Sequence, residues 1–144
     1  MTNKIDSSRI VIVPCSGIGK TYGAVSREAA YIITEDLRQE TTQLVALSML
    51  VMGDESTRAV VATSAAITID GCKLACASKM VKESGGKVAR EIDVLDVYRR
   101  HKQFKPRGIG ELNEDGLRLA KALADEVAAT IDTLAIKNKG GLDA

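Results

Sequence analysis

Apolar and polar positions follow two different periods along this 144-residue chain, one typical of strands and one typical of helices. Residues 10–13 are wholly apolar and β-branched, as in a strand that is buried on both faces of a parallel sheet. Further strands are predicted over residues 43–47, 66–69 and 87–94. Strands that alternate with helices form βαβ units. Residues 1–144 are therefore predicted to form a single three-layer α/β domain with a mostly parallel sheet and helices on both faces.

Two helices are predicted in the first half of the chain. The spacing of apolar residues predicts one from about residue 21 to residue 37. A second is predicted over residues 54–63, with Asp54 as its N-cap, because an aspartate side chain accepts hydrogen bonds from the first helical turn. The apolar face of the first helix consists of Tyr22, Val25, Ala29, Ile32 and Ile33.

Two more helices are predicted in the second half. One covers residues 72–83; the Asp-Gly pair at 70–71 opens it, and the glycines at 85–86 end it, as glycine commonly does at helix C-termini. The last helix is long and is capped by Asn113, and the glycine-rich tail at residues 138–144 is predicted to fray. The apolar stripe of this helix consists of Leu117, Ala120, Leu123, Val127, Ile131 and Leu134.

Composition narrows the class of protein. The net charge is +1, which argues against a protein that coats nucleic acid, so no nucleic-acid partner is expected. No secretory leader is visible, and no stretch reaches the roughly 20 apolar residues that a membrane span needs, so no membrane partner is expected either. The predicted compartment is the cytoplasm, where three cysteines are expected as thiols or metal ligands rather than disulfides.

The segment VPCSGIGKTYG, residues 13–23, has features of a phosphate-binding loop. That loop needs a glycine where this chain has Pro14, and proline offers no N–H to a phosphate, so ATP or GTP hydrolysis is not expected. A second interpretation makes Cys15 a nucleophile, because a helix N-terminus favours a thiolate. Cysteine phosphatases carry an arginine six residues after the nucleophile, where this chain has Thr21, so phosphatase chemistry is not favoured.

A metal site is the third interpretation, and the segment TIDGCKLACASKM, residues 68–80, supplies its partners. Cys72 and Cys76 are four residues apart and would share one face of a helix. Cys15 and Cys72 each follow a predicted strand, and parallel strands end at the same edge of a sheet, where ligand sites form. The three thiolates are expected to meet if those strands are neighbours. Thiolates suit zinc, Cu(I) and iron–sulfur clusters alike. The alternative to a shared metal site is that the cysteines are separate residues of the hydrophobic core.

At these residues the chain resembles a known family. IDGCKLACASK resembles the central motif of the DGC-domain family, which is described as zinc-binding and is named for Asp-Gly-Cys. PCSGIGKTYGAVSREAAY resembles that family's N-terminal cysteine loop and the helix after it. The resemblance covers roughly residues 9–86. It implies a metal site with zinc as the expected cofactor and an iron–sulfur cluster as the alternative. It does not imply a particular reaction. The expected ligands are Cys15, Cys72 and Cys76, and the expected supporting residues are Ser16, Gly17, Gly19, Asp70 and Gly71.

The chain departs from the family pattern at one cysteine. The family's fourth cysteine falls between the first helix and the DGC motif, and the matching segment here, LVALSMLVMGDE, contains none. Ala46 is the best match for the missing ligand, and Ser48 is the second. Water, Asp70 or His101, which is the chain's one histidine, could complete a tetrahedron, or metal binding could have been lost.

Two functions remain open. The first is a small metal-binding protein for storage, delivery or sensing. The second is a thiol enzyme in which Cys15 is the nucleophile or redox thiol, and Cys72 or Cys76 resolves it. A basic cluster near residue 100 is expected to be a solvated face, with the docking of an anionic ligand or RNA as the alternative. This cluster consists of Arg99, Arg100, Lys102, Lys105 and Arg107.

Overall fold

The computed structural model describes residues 9–15, 20–71, 75–109 and 111–143, with residues 135–143 as backbone only. Within these ranges, four strands form a single sheet that is parallel throughout. The predicted α/β class and the predicted parallel sheet are therefore confirmed. The strands are β1 (Ile10–Pro14), β2 (Thr42–Leu44), β3 (Ala65–Asp70) and β4 (Lys87–Asp93), and they lie in the order β2-β1-β3-β4.

Helices connect the strands, as the spacing of apolar residues predicts. The first helix continues directly into a π-helical segment, Ile32–Leu37, so the helix predicted over residues 21–37 is continuous. None of the helices in the described ranges combines the length and the hydropathy that a membrane crossing requires. The helices are α1 (Thr21–Tyr31), α2 (Leu47–Val51), α3 (Glu55–Thr63), α4 (Cys76–Glu83), α5 (Val94–Arg100) and α6 (Glu114–Asp143).

Helices cover both faces of the sheet, and the residues of β1 show why. Ile10 and Ile12 belong to the core formed with α1, α5 and α6, whereas Val11 and Val13 belong to the core formed with α2, α3 and α4. Successive side chains of a strand point to opposite faces, so a wholly apolar strand is buried on both sides. All four side chains are at most 5% exposed, which confirms the three-layer arrangement.

The strand order brings the end of β1 beside the end of β3. After β2 the chain crosses to the other side of β1, so β1 pairs with both strands, and Pro14 lies opposite Ile69. The connection after β1 leads to α1 on one face, and the connection after β3 leads to α4 on the other. Such a divergence between neighbouring strands creates a crevice at the carboxyl edge of the sheet, which is where open α/β proteins bind ligands.

The strand β2 and the short helices α2 and α5 differ from the prediction. β2 ends at Leu44 instead of continuing to residue 47, because Leu47 begins α2 and packs together with Leu50 in the core. A short helix that was not predicted, α5, follows β4 directly. The side chain of Asp93 caps it by accepting a hydrogen bond from the Leu95 N–H at 2.9 Å.

The last helix confirms its predicted cap and most of its predicted stripe. The Asn113 side chain accepts a hydrogen bond from the Gly116 N–H at 2.8 Å. Leu117 is 45% exposed, because it lies in the first turn beside an open surface cavity, and Leu119 is fully buried instead. The backbone stays helical to Asp143, through the segment for which fraying is predicted. The members of the stripe that are buried or partly buried are Ala120, Leu123, Val127, Ile131 and Leu134.

Candidate metal centre

The Cys15 thiol lies at the crevice between β1 and β3. Cys15 is 6% exposed, and its N–H donates to the Ile69 carbonyl at 2.8 Å, which extends the pairing of the two strands. The Gly71 N–H donates to the Cys15 sulfur, with 3.2 Å between nitrogen and Sγ. The hydroxyl of the buried Ser26, on α1, lies 3.6 Å from the same sulfur. A backbone N–H directed at sulfur is a contact that suits a thiolate, which is the form that binds metal.

Gly71 lets the end of β3 approach α1 closely. A Cβ atom at this position would lie 2.9 Å from the Gly23 nitrogen and 2.9 Å from the Tyr22 carbonyl carbon. Both are backbone atoms of α1, and they cannot turn aside as the end of a flexible side chain can. Any side chain at position 71 would therefore push the end of β3 away from α1, and would disturb the N–H contact with Cys15.

Asp70 joins the end of β3 to the start of α4. Its Oδ1 accepts a hydrogen bond from the Ala77 N–H at 2.8 Å, and its Oδ2 accepts from the hydroxyl and the N–H of Ser78 at 3.2 and 3.4 Å. The Ser78 hydroxyl also lies 2.6 Å from the Thr68 hydroxyl on β3. Both carboxylate oxygens are therefore occupied by donors of the protein. These hydrogen bonds show that Asp70, expected as a supporting residue or a possible fourth ligand, caps the start of α4.

The start of α4 corrects one step of the sequence argument. Ala75 has φ 52 and ψ 46, a left-handed conformation that an α-helix cannot contain, and α4 begins only at Cys76. The helix predicted over residues 72–83 therefore cannot be continuous through Ala75, and residues 72–74 lie outside the described residues. The helical i,i+4 spacing invoked for Cys72 and Cys76 no longer applies. Cys76 is exposed at the first position of α4.

Several expected site residues lie outside the described residues, namely Ser16, Gly17, Gly19 and Cys72. Among the residues that the structure does describe, no three His, Cys, Asp or Glu side chains are grouped so that they could hold a metal ion.

A cavity of about 390 Å³ opens beside Cys15, between α1 and the segment that follows β2. Ala46 and Ser48, the two positions matched to the missing fourth cysteine, both border this cavity. The structure therefore brings both positions to the same space as the Cys15 thiol. The cavity is lined by Pro14, Cys15, Arg27, Tyr31, Leu44, Ala46, Leu47 and Ser48.

His101 follows α5 and is engaged there by other groups. Its Nε2 lies 3.3 Å from a carboxylate oxygen of Glu126, and its ring stacks on Phe104 with 5.9 Å between ring centroids. Arg100 forms an ion pair with the same Glu126. These contacts account for Arg100 as ion-paired surface, and they show the His101 ring engaged by Glu126 and Phe104.

Sequence reasoning missed the α1 side of the crevice. Ser26 is a polar residue on the buried part of a helix, and this was the available signal that it contacts something polar. Arg27 and Tyr31 are four residues apart and so share one side of α1. Nothing in the sequence indicated that this side borders the segment after β2.

Comparison with known proteins agrees with the two cysteine motifs. The family model described as the DGC domain matches residues 11–116, which run from β1 to the first turn of α6 and include all three cysteines. No curated protein and no solved structure gives a match. Because the match covers well over half of the 144 residues, this chain belongs to the DGC domain family.

Proposed function

We propose that this chain binds a metal ion that prefers thiolates, with zinc as the expected ion, through Cys15, Cys72 and Cys76. The observation that carries the proposal is the 3.2 Å contact between the Gly71 N–H and the Cys15 sulfur. Gly71 is bonded directly to Cys72. The segment that carries Cys72 and Cys76 therefore begins next to a residue whose N–H contacts the Cys15 sulfur.

A closed loop supports the same proposal. The hydrogen bond between Asp70 Oδ1 and the Ala77 N–H, 2.8 Å long, joins residues on either side of Cys72 and Cys76. An extended chain advances at most about 3.6 Å per residue, so a loop this short, closed at both ends, keeps both cysteines within reach of the crevice. Less chain entropy then has to be lost when the three thiolates gather around one ion.

The donor set favours exchange of the metal over a purely structural role. Structural zinc sites normally have four protein ligands, whereas sites with three keep a position for water or another small ligand. Asp70 is occupied as a cap, and His101 is occupied by Glu126 and Phe104. The fourth position is then left to water or to an exogenous ligand, which suits delivery, sensing or transfer of the ion.

Thiol chemistry at Cys15 is the second candidate. The cavity beside Cys15 would give a small molecule access to the sulfur, and the Gly71 N–H would stabilise a thiolate. In this case Cys72 or Cys76 would be the resolving thiol, and no metal would be needed.

Elemental analysis of protein purified anaerobically and without chelator separates the two candidates. The metal proposal predicts about one zinc ion per chain, and an ultraviolet–visible spectrum reveals any iron–sulfur cluster. After replacement of zinc by Co²⁺, each of Cys15→Ser, Cys72→Ser and Cys76→Ser should remove about one third of the thiolate-to-cobalt absorption. Ser48→Ala, in the same cavity, is the control and should remove none.

The opposite outcome would favour the thiol enzyme. Protein that carries no metal, gives no thiolate-to-cobalt absorption, and is alkylated rapidly at Cys15 alone would contradict the metal proposal.

A further inference from the structure

A second cavity lies between α1 and the segment that leads into α6. Its volume is about 350 Å³, whereas a 150 Å³ cavity is enough to hold benzene, so a molecule of roughly 9–14 non-hydrogen atoms would fit. Tyr31, Glu111 and Leu117, which line it, are all exposed, so a ligand can enter from solvent.

Two carboxylates of this lining are available to a ligand. Glu28 is half-buried on α1, and Glu111 is exposed in the segment before α6. No hydrogen bond or ion pair engages either carboxylate within the described part of the chain. Arg27 also borders the cavity and already has an interaction of its own. With two carboxylates and one guanidinium, the described lining has a net formal charge of −1, which favours a ligand with a single positive charge.

The apolar part of the lining is an independent indication of a ligand. Leu117 belongs to the predicted apolar stripe of α6, yet it is 45% exposed where it borders the cavity. Leu112, which is partly buried, lines the same cavity. These two leucines offer apolar surface that a bare metal ion could not cover. Among the described residues, moreover, no three metal-binding side chains are grouped, so the cavity favours an organic cation over a metal ion.

We propose that this cavity binds a small organic ammonium ion, with the ammonium group at Glu28 and Glu111 and an apolar body against Leu112 and Leu117. An ammonium group has three N–H donors, so it can bond to both carboxylates at once, and such charge-assisted hydrogen bonds are the strong ones. Tyr31 borders the same cavity and supplies an aromatic ring, which attracts cations. The proposal goes beyond metal binding and holds whether or not Cys15 carries a metal ion.

Titration of the ¹⁵N-labelled full-length chain with 2-phenylethylammonium, followed by NMR at pH 7, tests the proposal. The uncharged 2-phenylethanol has the same size and shape and is the matched probe. We expect saturable binding of the ammonium ion with a dissociation constant of about 1 mM, as befits so small a ligand, and binding of the alcohol about tenfold weaker. Shift changes should centre on the amides of Glu28, Leu112 and Leu117.

Variants locate the site and its charge. Glu28→Gln and Glu111→Gln should each weaken binding of the ammonium ion about threefold, and about tenfold together, but leave binding of the alcohol unchanged. Glu83→Gln removes the same charge from an exposed position on α4 and should change neither. Leu117→Lys places a competing ammonium group at the cavity and should abolish binding of the free one. All four positions are exposed or half-buried, so these variants are expected to fold.

Three results would overturn the proposal. They are a linear, unsaturated response to 2-phenylethylammonium, equal binding of the ammonium ion and the alcohol, and undiminished binding of the ammonium ion in the folded double variant of Glu28 and Glu111.

Discussion

Replacement of Asp70 tests how the end of β3 is fixed to α4. Asp70 is 5% exposed, and its carboxylate accepts three hydrogen bonds, from the Ala77 N–H and from the N–H and hydroxyl of Ser78. Asp70→Ala would leave these donors without their acceptor in a buried place. We therefore expect a much larger loss of stability than at an ordinary helix cap.

The magnitude follows from those bonds. Loss of an N-cap costs about 1 kcal/mol, and each buried donor left unsatisfied costs about 1–3 kcal/mol. Because the Ser78 hydroxyl keeps the Thr68 hydroxyl as a partner at 2.6 Å, only the two backbone donors are fully orphaned, and since the cap consists of these same bonds, the expected loss is about 2–6 kcal/mol. Asp70→Asn keeps the shape and one acceptor oxygen but turns an NH₂ group toward Ser78, so a loss of about 1–3 kcal/mol is expected.

Urea denaturation measures both losses, and Asp93→Ala is the matched control. Asp93 caps α5 with a single hydrogen bond, so its replacement should cost about 1 kcal/mol. With a slope of about 2 kcal/mol per molar urea, Asp70→Ala should lower the midpoint by about 2 M and leave the slope unchanged. If Asp70→Ala costs no more than Asp93→Ala, the buried capping network does not have the role assigned to it.

Three further predictions concern single residues. Gly71→Ala should lower the free energy of unfolding by about 1–3 kcal/mol, because the new Cβ meets the backbone of α1; an unchanged urea midpoint would disprove this contact. Ala75→Gly should raise the free energy of unfolding by about 0.5–1 kcal/mol, because glycine tolerates the left-handed conformation at φ 52. A lower urea midpoint would contradict the assignment of backbone strain to Ala75. Hydrogen bonds from the hydroxyl and N–H of Thr57 lower the pKa of Asp54 below its ordinary 3.8, so its ionised form stabilises the fold above that pH. The stability difference between the natural chain and Asp54→Asn should therefore shrink as the pH falls through the lowered pKa, and a difference that is constant from about pH 5 to pH 2 would refute this.

Hydrophobic periodicity was sufficient to predict the architecture. A strand with four consecutive β-branched residues, such as residues 10–13, has to be buried on both faces, and this dictates helices on both sides of a parallel sheet. The sequence did not determine which leucine begins the apolar stripe of the last helix, because Leu117 and Leu119 both lie within reach of its apolar face. Only the packing of α6 decides that Leu119 is the buried one.

The start of α4 could not be predicted from local preference. Alanine is the strongest helix former, yet Ala75 is left-handed, because the Asp70 carboxylate binds the Ala77 N–H and fixes where the helix begins. That interaction spans seven residues and depends on the position of β3. The approach of Cys15 to Gly71 was anticipated through the positions of the two strand ends, but the contribution of Ser26 from α1 was not, because it depends on tertiary packing.

X-ray absorption at the zinc edge tests the central claim most directly, because it counts the sulfur atoms bound to the ion. The account predicts three sulfurs at about 2.3 Å and one lighter ligand for zinc bound to the natural chain, and two sulfurs after Cys15→Ser. Zinc surrounded only by oxygen and nitrogen, or a sulfur count that does not change when Cys15 is replaced, would contradict a shared site of Cys15, Cys72 and Cys76.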